Sequence, residues 1–498
     1  MANETNHSTQ ELRKEYRGIV ENLPELDRAG RKTAARYMCF SEAVYKGEVA
    51  DFLYVPKLYT AGECERFQEI ATITYGILEK VINAYVDNPD YRRCFGFSKD
   101  LEELILLDPG YDTTIPMIRI DIFYDEDTGD FKFCEFNTDG SSAMNEDREA
   151  SNALALTPSF EKFEAYCAQA DLSISSFELF DSWVDAFLDI YAEALQPKDD
   201  VPNTGSASNN ELSKPHHSRQ TGPNIVITDF MDISTPIEIE RFAKHFEARS
   251  LKVEVCDIRD LHFDTDTAGE PVLRTPSGMP VDAVYRRAVT ADIMKHYNQV
   301  TDFLDAYRAG ACVLIGSFRT QMPHTKLSFE VLHLPETLAL LTEAEQVFVK
   351  AHVPYTLHLG PNMDLATLGE IITAKDRWIV KPLDSYGSKG VWAGRELEPA
   401  EWENLIRTGV EEKSLIAQHY IEQYTAPNLE SGFDLPAQKE PLEHSELPTM
   451  KEYRDLTGLF VYAGQFKGLL ARAGLQDRIC AAAAGKCLGT FKVERGTD

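Results

Sequence analysis

Residues 115–136 constrain the fold more tightly than any other stretch of this chain. Residues 115–124 (IPMIRIDIFY) are apolar and β-rich, 125–130 (DEDTGD) carry turn chemistry with Gly129, and 131–136 (FKFCEF) alternate again. Two such runs around a Gly-bearing turn predict a β-hairpin. Arg119 and Asp121 stand two apart on its first strand, Glu135 and Asn137 two apart on its second. Strand alternation puts each pair on one face, and hairpin pairing brings the four together. Asp, Glu and Asn are hard oxygen donors of the kind Mg²⁺ takes. A divalent cation would also relieve the pKa rise that two adjacent buried carboxylates suffer. Arg119 suits a nearby phosphate or carboxylate. On these residues alone an exposed hairpin with one ion pair stays open. Ile120, Ile122, Phe133 and Phe136 fit a core face under either reading.

Length sets the next bound. At 498 residues the chain exceeds one domain of ~100–200 residues, and two or three are expected. Residues 1–110 read as largely helical: LRKEYRGIVENL, CERFQEIATITYGILEKVINAYV and SKDLEELILL carry helical apolar spacing, with a strand-like DFLYVPKLY among them. Residues 111–196 hold the hairpin and further helices. Residues 197–223 are rich in Ser, Asn, Pro and Gly and read as a flexible linker or insertion, their two histidines solvated. Residues 224–320 alternate strand and helix (NIVITDF, TPIEIERFAKHFEARS, LKVEVCD, AVYRRAV, ACVLIG), an α/β unit with a parallel sheet. No GxGxxG follows the first strand, so dinucleotide binding is not expected. In 321–498, strands are expected at 378–382, 415–421 and in a long pair within 456–473. Residues 426–449, Pro- and acid-rich, are expected as a surface loop. The fold class is mixed α/β.

Charge narrows the partners. Fifty Lys and Arg face 81 Asp and Glu, a net of −31. Nucleic acid and anionic membranes demand a basic field that this chain lacks. No run approaches ~18–20 apolar residues, so no membrane span is expected. MANETNHSTQELRKEY has no apolar core of a secretory signal. Nine cysteines, an odd number without CxxC, read as free thiols in a reducing, cytoplasmic setting.

Three further stretches carry chemistry. In 138–146 (TDGSSAMNE), Gly140, Ser141 and Ser142 suit a loop that holds substrate through backbone NH groups and hydroxyls, though a plain turn with a helix cap fits too. In 378–392 (WIVKPLDSYGSKGVW), a buried strand delivers Lys381 ahead of a loop with Gly387 and Gly390, which could close over ATP phosphates. It is not a Walker A loop, and an exposed hairpin turn remains the alternative. In 456–473 (LTGLFVYAGQFKGLLARA), Arg472 near the end of the second strand could meet a transferring phosphoryl group, or sit on a surface edge. Lys326 (PHTKLSFEVL), taken alone, is expected to be exposed.

Together these pieces resemble the glutathionylspermidine synthetase-like group of circularly permuted ATP-grasp ligases. The markers are RID (119–121), EFNTDGSSAMNE (135–146), VYRR (284–287), HTKLSFEVL (324–332), VPYT (353–356), WIVKPLDSYGSKGV (378–391), IAQHYIE (416–422) and TGLFVYAGQFKGLLAR (457–472). The resemblance implies an ATP-grasp fold with a preATP-grasp-like α/β domain and a largely helical N-terminal region. It implies Mg²⁺ on Asp121, Glu135 and Asn137, and Arg119 and Arg472 at the transferred phosphate. Lys326 and Lys381 would meet ATP phosphates under a loop of Ser388, Lys389, Gly390 and Val391. Gln418, Tyr420 and Ile421 would lie near adenine, and Ser141 and Ser142 near the substrate. The implied reaction is ATP-dependent amide formation through an acyl phosphate, ADP-forming. Its partners would be a small-molecule carboxylate and an amine, with glutathione and spermidine as family precedents. Departures are the absent amidase domain, the sparser glycines of 384–390 and the segments 197–223 and 426–449. A carboxylate-pair hydrolase and an inactive ATP-grasp binding protein are the competing readings.

Overall fold

The computed structural model describes residues 8–45, 47–196, 222–361, 363–385, 387, 389–479 and 485–496. The hairpin forms as the alternation predicts, from Met117–Tyr124 and Phe131–Asn137. Asp125 N donates to Asp130 O across its turn, where Gly129 takes φ 70°. Arg119 pairs with Asn137 and Asp121 with Glu135, but the next pair is Ile122 with Phe133. Cys134 is therefore the extra residue of a β-bulge, which bends the strand at the charged cluster.

The hairpin is the edge of a larger antiparallel sheet. Lys451–Tyr462 pairs with Met117–Tyr124, Gln465–Gly474 follows it, and Lys486–Leu488 closes the far side. The long pair turns through Ala463 and Gly464, both at positive φ, as a two-residue hairpin requires. Behind the hairpin, Ile118, Ile120 and Ile122 pack with Phe133, Phe136 and the helix Ala61–Asp87. That apolar face forces Arg119 and Asp121 to the other side.

Among the described residues, three sheets of three or four strands complete the frame. Val313–Ile315, Ala283–Arg286, Asn224–Asp229 and Lys252–Asp257 form a parallel sheet in that order. Thr356–His358, Leu415–His419, Trp378–Pro382 and Trp392–Ala393 form an antiparallel one, built over Val380, Trp402, Ile406 and Ala417. Lys57–Thr60, Thr490–Arg495 and Leu172–Ser176 make a third.

One expectation changes. The stretch 426–449 is not a plain surface loop: Thr425–Asn428 is a strand on Lys451–Tyr462, and Asn428, Leu429, Ser431 and Phe433 are buried. Asn428 exchanges two hydrogen bonds with the backbone of Val55, which ties this segment to the N-terminal region. The helix Arg28–Cys39 falls within the N-terminal region read as largely helical, though its stretch was not singled out. Of the expected linker, 197–221 lies outside the described residues. The eight described cysteines are free. No described helix is long and apolar enough to cross a membrane.

Candidate active site

The hairpin cluster is closed by its own neighbours. Arg119 donates from Nε and Nη2 to both oxygens of Asp121, at 2.7 and 2.9 Å, and from Nη1 to Ser142 O at 2.7 Å. Asn137 Nδ2 donates to Asp121 Oδ2 at 3.0 Å and Glu135 Oε1 at 3.3 Å. Gly458 stands opposite Asp121 on the next strand. A Cβ there would lie 2.7 Å from Asp121 Oδ1 and 3.0 Å from Arg119 Cδ, so glycine leaves the room the pair occupies. Burial pushes Asp121 up from the usual carboxylate range, against the pull of Arg119 and with the push of Glu135. Two carboxylates and an amide whose half-turn presents its oxygen at the same point make an all-oxygen donor set, and these residues fit a hard divalent cation.

Both predicted lysines converge on this cluster. Lys326 is buried, contrary to the exposure expected of it alone. Its backbone N donates to Leu383 O, its Nζ donates to Ser385 O at 2.8 Å, and Nζ lies 3.7 Å from Glu135 Oε2. The loop after Trp378–Pro382 thus packs on it from far along the chain. Lys381 Nζ donates to Gln418 Oε1 at 2.8 Å and Cys134 O at 3.2 Å. Gln418 is held in turn by its Nε2 donating to Thr356 Oγ1. Burial would raise Glu135, but Lys326, Lys381 and Arg119 outweigh it and bring its carboxyl to about 2.

Two cavities meet at Glu135, with Leu456 and Ile479 also common to both. The smaller is walled by Lys326, Lys381, Val391, Gln418, Tyr420 and Ile421. Arg395 stacks on the Tyr420 ring, 3.8 Å from its centroid. Lys389 is exposed and, like Gly390, lines neither cavity; Ser388 lies outside the described residues. The larger cavity, about 200 Å³, is walled by Arg119, Asp121, Asn137, Ser141, Ser142 and Arg472. Arg472 is no surface-edge arginine: it lies between two strands and is held by Glu146, which also accepts from the Cys487 thiol. Ser141 turns its hydroxyl inward to Asn137 O, so its role in the loop is structural as well.

Several neighbours of the cluster were not singled out from the sequence. Asp139 is fully buried, paired with Arg286 Nη2 at 2.9 Å and bonded by the NH of Thr290 at 2.9 Å. Burial would raise it, but Arg286 beside it holds it well below the usual range. Arg287 pairs with Glu238 at 3.0 Å and donates to Ser141 O. A Cβ on Gly140 would meet Arg287 O at 2.4 Å, so the loop lies tight against the parallel sheet. The RR of VYRR was the available signal. Residues Glu42–Tyr45 also wall the larger cavity, and nothing in their sequence marked them.

The chain has a mixed α/β fold. In particular it shares its fold with a glutathione synthetase-like effector from Globodera pallida, with a TM-score of 0.52 at 11% identity over 97% of each chain. A D-cycloserine synthetase is 15% identical with a TM-score of 0.25, over 55% of this chain and 91% of that one. The ATP-grasp ligase PsnB, complexed with a minimal precursor, Mg and ADP, is 13% identical with a TM-score of 0.23, over 53% and 88%. Those two overlaps are too slight to bear on this chain. No family model matches the chain, and no curated protein matches its sequence.

Proposed function

We propose that this protein is an ATP-dependent, ADP-forming ligase that joins a small-molecule carboxylate to an amine. One observation carries the reading: a single carboxylate, Glu135, stands where a lysine-lined cavity meets an arginine-lined one. In the first, Lys326 and Lys381 would bind ATP phosphates, with Gln418, Tyr420, Ile421 and Val391 around the base. In the second, Ser141 and Ser142 would hold the acid. Asp121, Glu135 and Asn137 would hold Mg²⁺, which when bound neutralises phosphate charge.

The acid's carboxylate attacks the γ-phosphorus and ADP leaves, giving an acyl phosphate. The amine then attacks the carbonyl carbon, and phosphate departs as the amide forms. Arg119 and Arg472 supply positive charge at the transferred group without reorganising, because Asp121 and Glu146 already orient them. A hydrolase using Asp121 and Glu135 would need a protonated acid and a free base. Glu135, held low by Lys326, Lys381 and Arg119, is not that acid, and Asp121 is the ion-pair partner of Arg119 rather than a free base.

The test is release of ADP and phosphate from Mg-ATP with pooled acids and amines, glutathione and spermidine first. Turnover that requires one acid and one amine together is the expected result. Failure to bind Mg-ADP would sink the proposal. Nucleotide binding without turnover on any pool would favour an inactive binding protein.

A further inference from the structure

A third cavity, about 450 Å³, shares no lining residue with the two of the candidate active site. It lies where the helix Thr9–Glu21 crosses the turn after Tyr124 and the strand Thr425–Asn428. Its wall carries Arg13, Lys14, Arg17 and Lys57 against two carboxylates, Glu126 and Asp127. That excess of positive charge runs against a chain of net charge −31. Gln10, Arg13, Lys14 and Arg17 follow i, i+3, i+4, i+7 spacing, one face of the helix. Leu12, Tyr16 and Val20 hold the other face in the core. Along this face Arg13 is buried, Arg17 half-buried and Lys14 exposed at the cavity's rim.

The floor is a closed set of charges. Arg13 and Lys57, both buried, close on Glu126, and Lys57 also pairs with Asp455. Burial would raise Glu126, but Arg13 and Lys57 hold it below its usual range, so it stays ionised as their counterion. Glu126 Oε1 has only its ion pair with Lys57 and no other partner. Arg13 Nε is buried with no hydrogen-bond partner. Lys14 and Arg17 have no ion-pair partner among the described residues. A buried unmatched donor is unfavourable, and guanidinium and ammonium groups around one space match the oxygens of a phosphate.

We propose that this cavity binds a phosphate-bearing anion, either free phosphate or a small phosphate ester. A space of this size takes a small metabolite. The site is distinct from the nucleotide cavity but adjacent along one strand: Asp455 meets Lys57 on the cavity floor, while Leu456 lines both active-site cavities.

The test uses the full chain titrated with inorganic phosphate, and separately with glycerol phosphate, at constant ionic strength. Heat of binding and the thermal midpoint are followed. Because phosphate could also enter the nucleotide cavity, Lys381→Met is titrated alongside. Lys14→Glu/Arg17→Glu changes only side chains outside the buried floor. The wild type and Lys381→Met should respond alike, and the double variant should bind at least about tenfold more weakly. A stronger response to the ester than to phosphate would identify an ester as the ligand. No response to either anion, a response equal to that of chloride, or one lost in Lys381→Met but kept in the double variant would overturn the proposal. None of these outcomes depends on whether the protein is a ligase.

Discussion

Glu135 shows how little of a residue's behaviour is local. Its strand neighbours Cys134 and Phe136 would leave an ordinary half-buried carboxyl, yet three cations from three other elements bring it to about 2. Glu135→Gln keeps the shape and removes the charge. ATP turnover, once a substrate pair is found, should fall by about 10²–10³-fold while circular dichroism stays unchanged. The sign of the pH effect follows from the shift. The folded carboxyl titrates below its unfolded value of ~4.3, so its stabilising contribution is full above that pH and is lost as pH falls toward 2. Its upper bound is about 3 kcal/mol, at 1.36 kcal/mol per unit. Thermal midpoints measured from pH 6 downward should therefore fall less steeply in Glu135→Gln, and parallel slopes would contradict the assigned ion cluster. Lys381→Met should weaken Mg-ADP binding by about ten- to a hundredfold by calorimetry. The hairpin residues were legible because a period of two needs only neighbours. Lys326 was not, because its burial depends on Leu383 and Ser385 arriving from a distant loop.

At the scale of elements, the site is a property of strand contacts rather than of motifs. Arg119 and Asp121 can share one face only because Gly458 on the adjacent strand leaves their space open. Gly458 reads in sequence as an ordinary weak point in a strand, and only the register opposite Asp121 gives it a function. Gly458→Ala would force the Arg119–Asp121 pair aside, for the clash is with the root of Arg119 and a carboxylate already held by two partners. Overpacking of this kind costs about 1–3 kcal/mol. The chain should stay folded at 25 °C and lose more than tenfold in turnover, with Mg-ADP affinity, tied mainly to the lysine cavity, changing much less. Equal losses in both would show that the substitution had damaged the sheet as a whole. The segment 426–449 was misread for a related reason. Its prolines and acids describe a loop, but Asn428 and Leu429 face the N-terminal region, and pairing partners so far away leave no local periodicity.

For the whole molecule, chain order and spatial order part company. Met117–Tyr124 lies between Phe131–Asn137 and Lys451–Tyr462, so one sheet is assembled from segments more than three hundred residues apart. Thr490–Arg495 likewise lies between Lys57–Thr60 and Leu172–Ser176. Segments 111–196 and 321–498 are far apart in sequence and were read as parts of one permuted core, and neither can complete its hydrogen bonding alone. A fragment spanning 321–498 would present Lys451–Tyr462 as an open edge, with Leu459 and Val461 stripped of their core partners. Such an edge invites association rather than stability. Expressed alone, this fragment should aggregate or lack a cooperative melt. Co-expressed with 1–320, it should elute as one complex that melts in a single transition. A fragment that is monomeric and melts cooperatively by itself would mean that the long strand pair needs no hairpin. The four charged and polar residues that Glu135 heads would then be an addition to a self-sufficient nucleotide domain, not part of its frame.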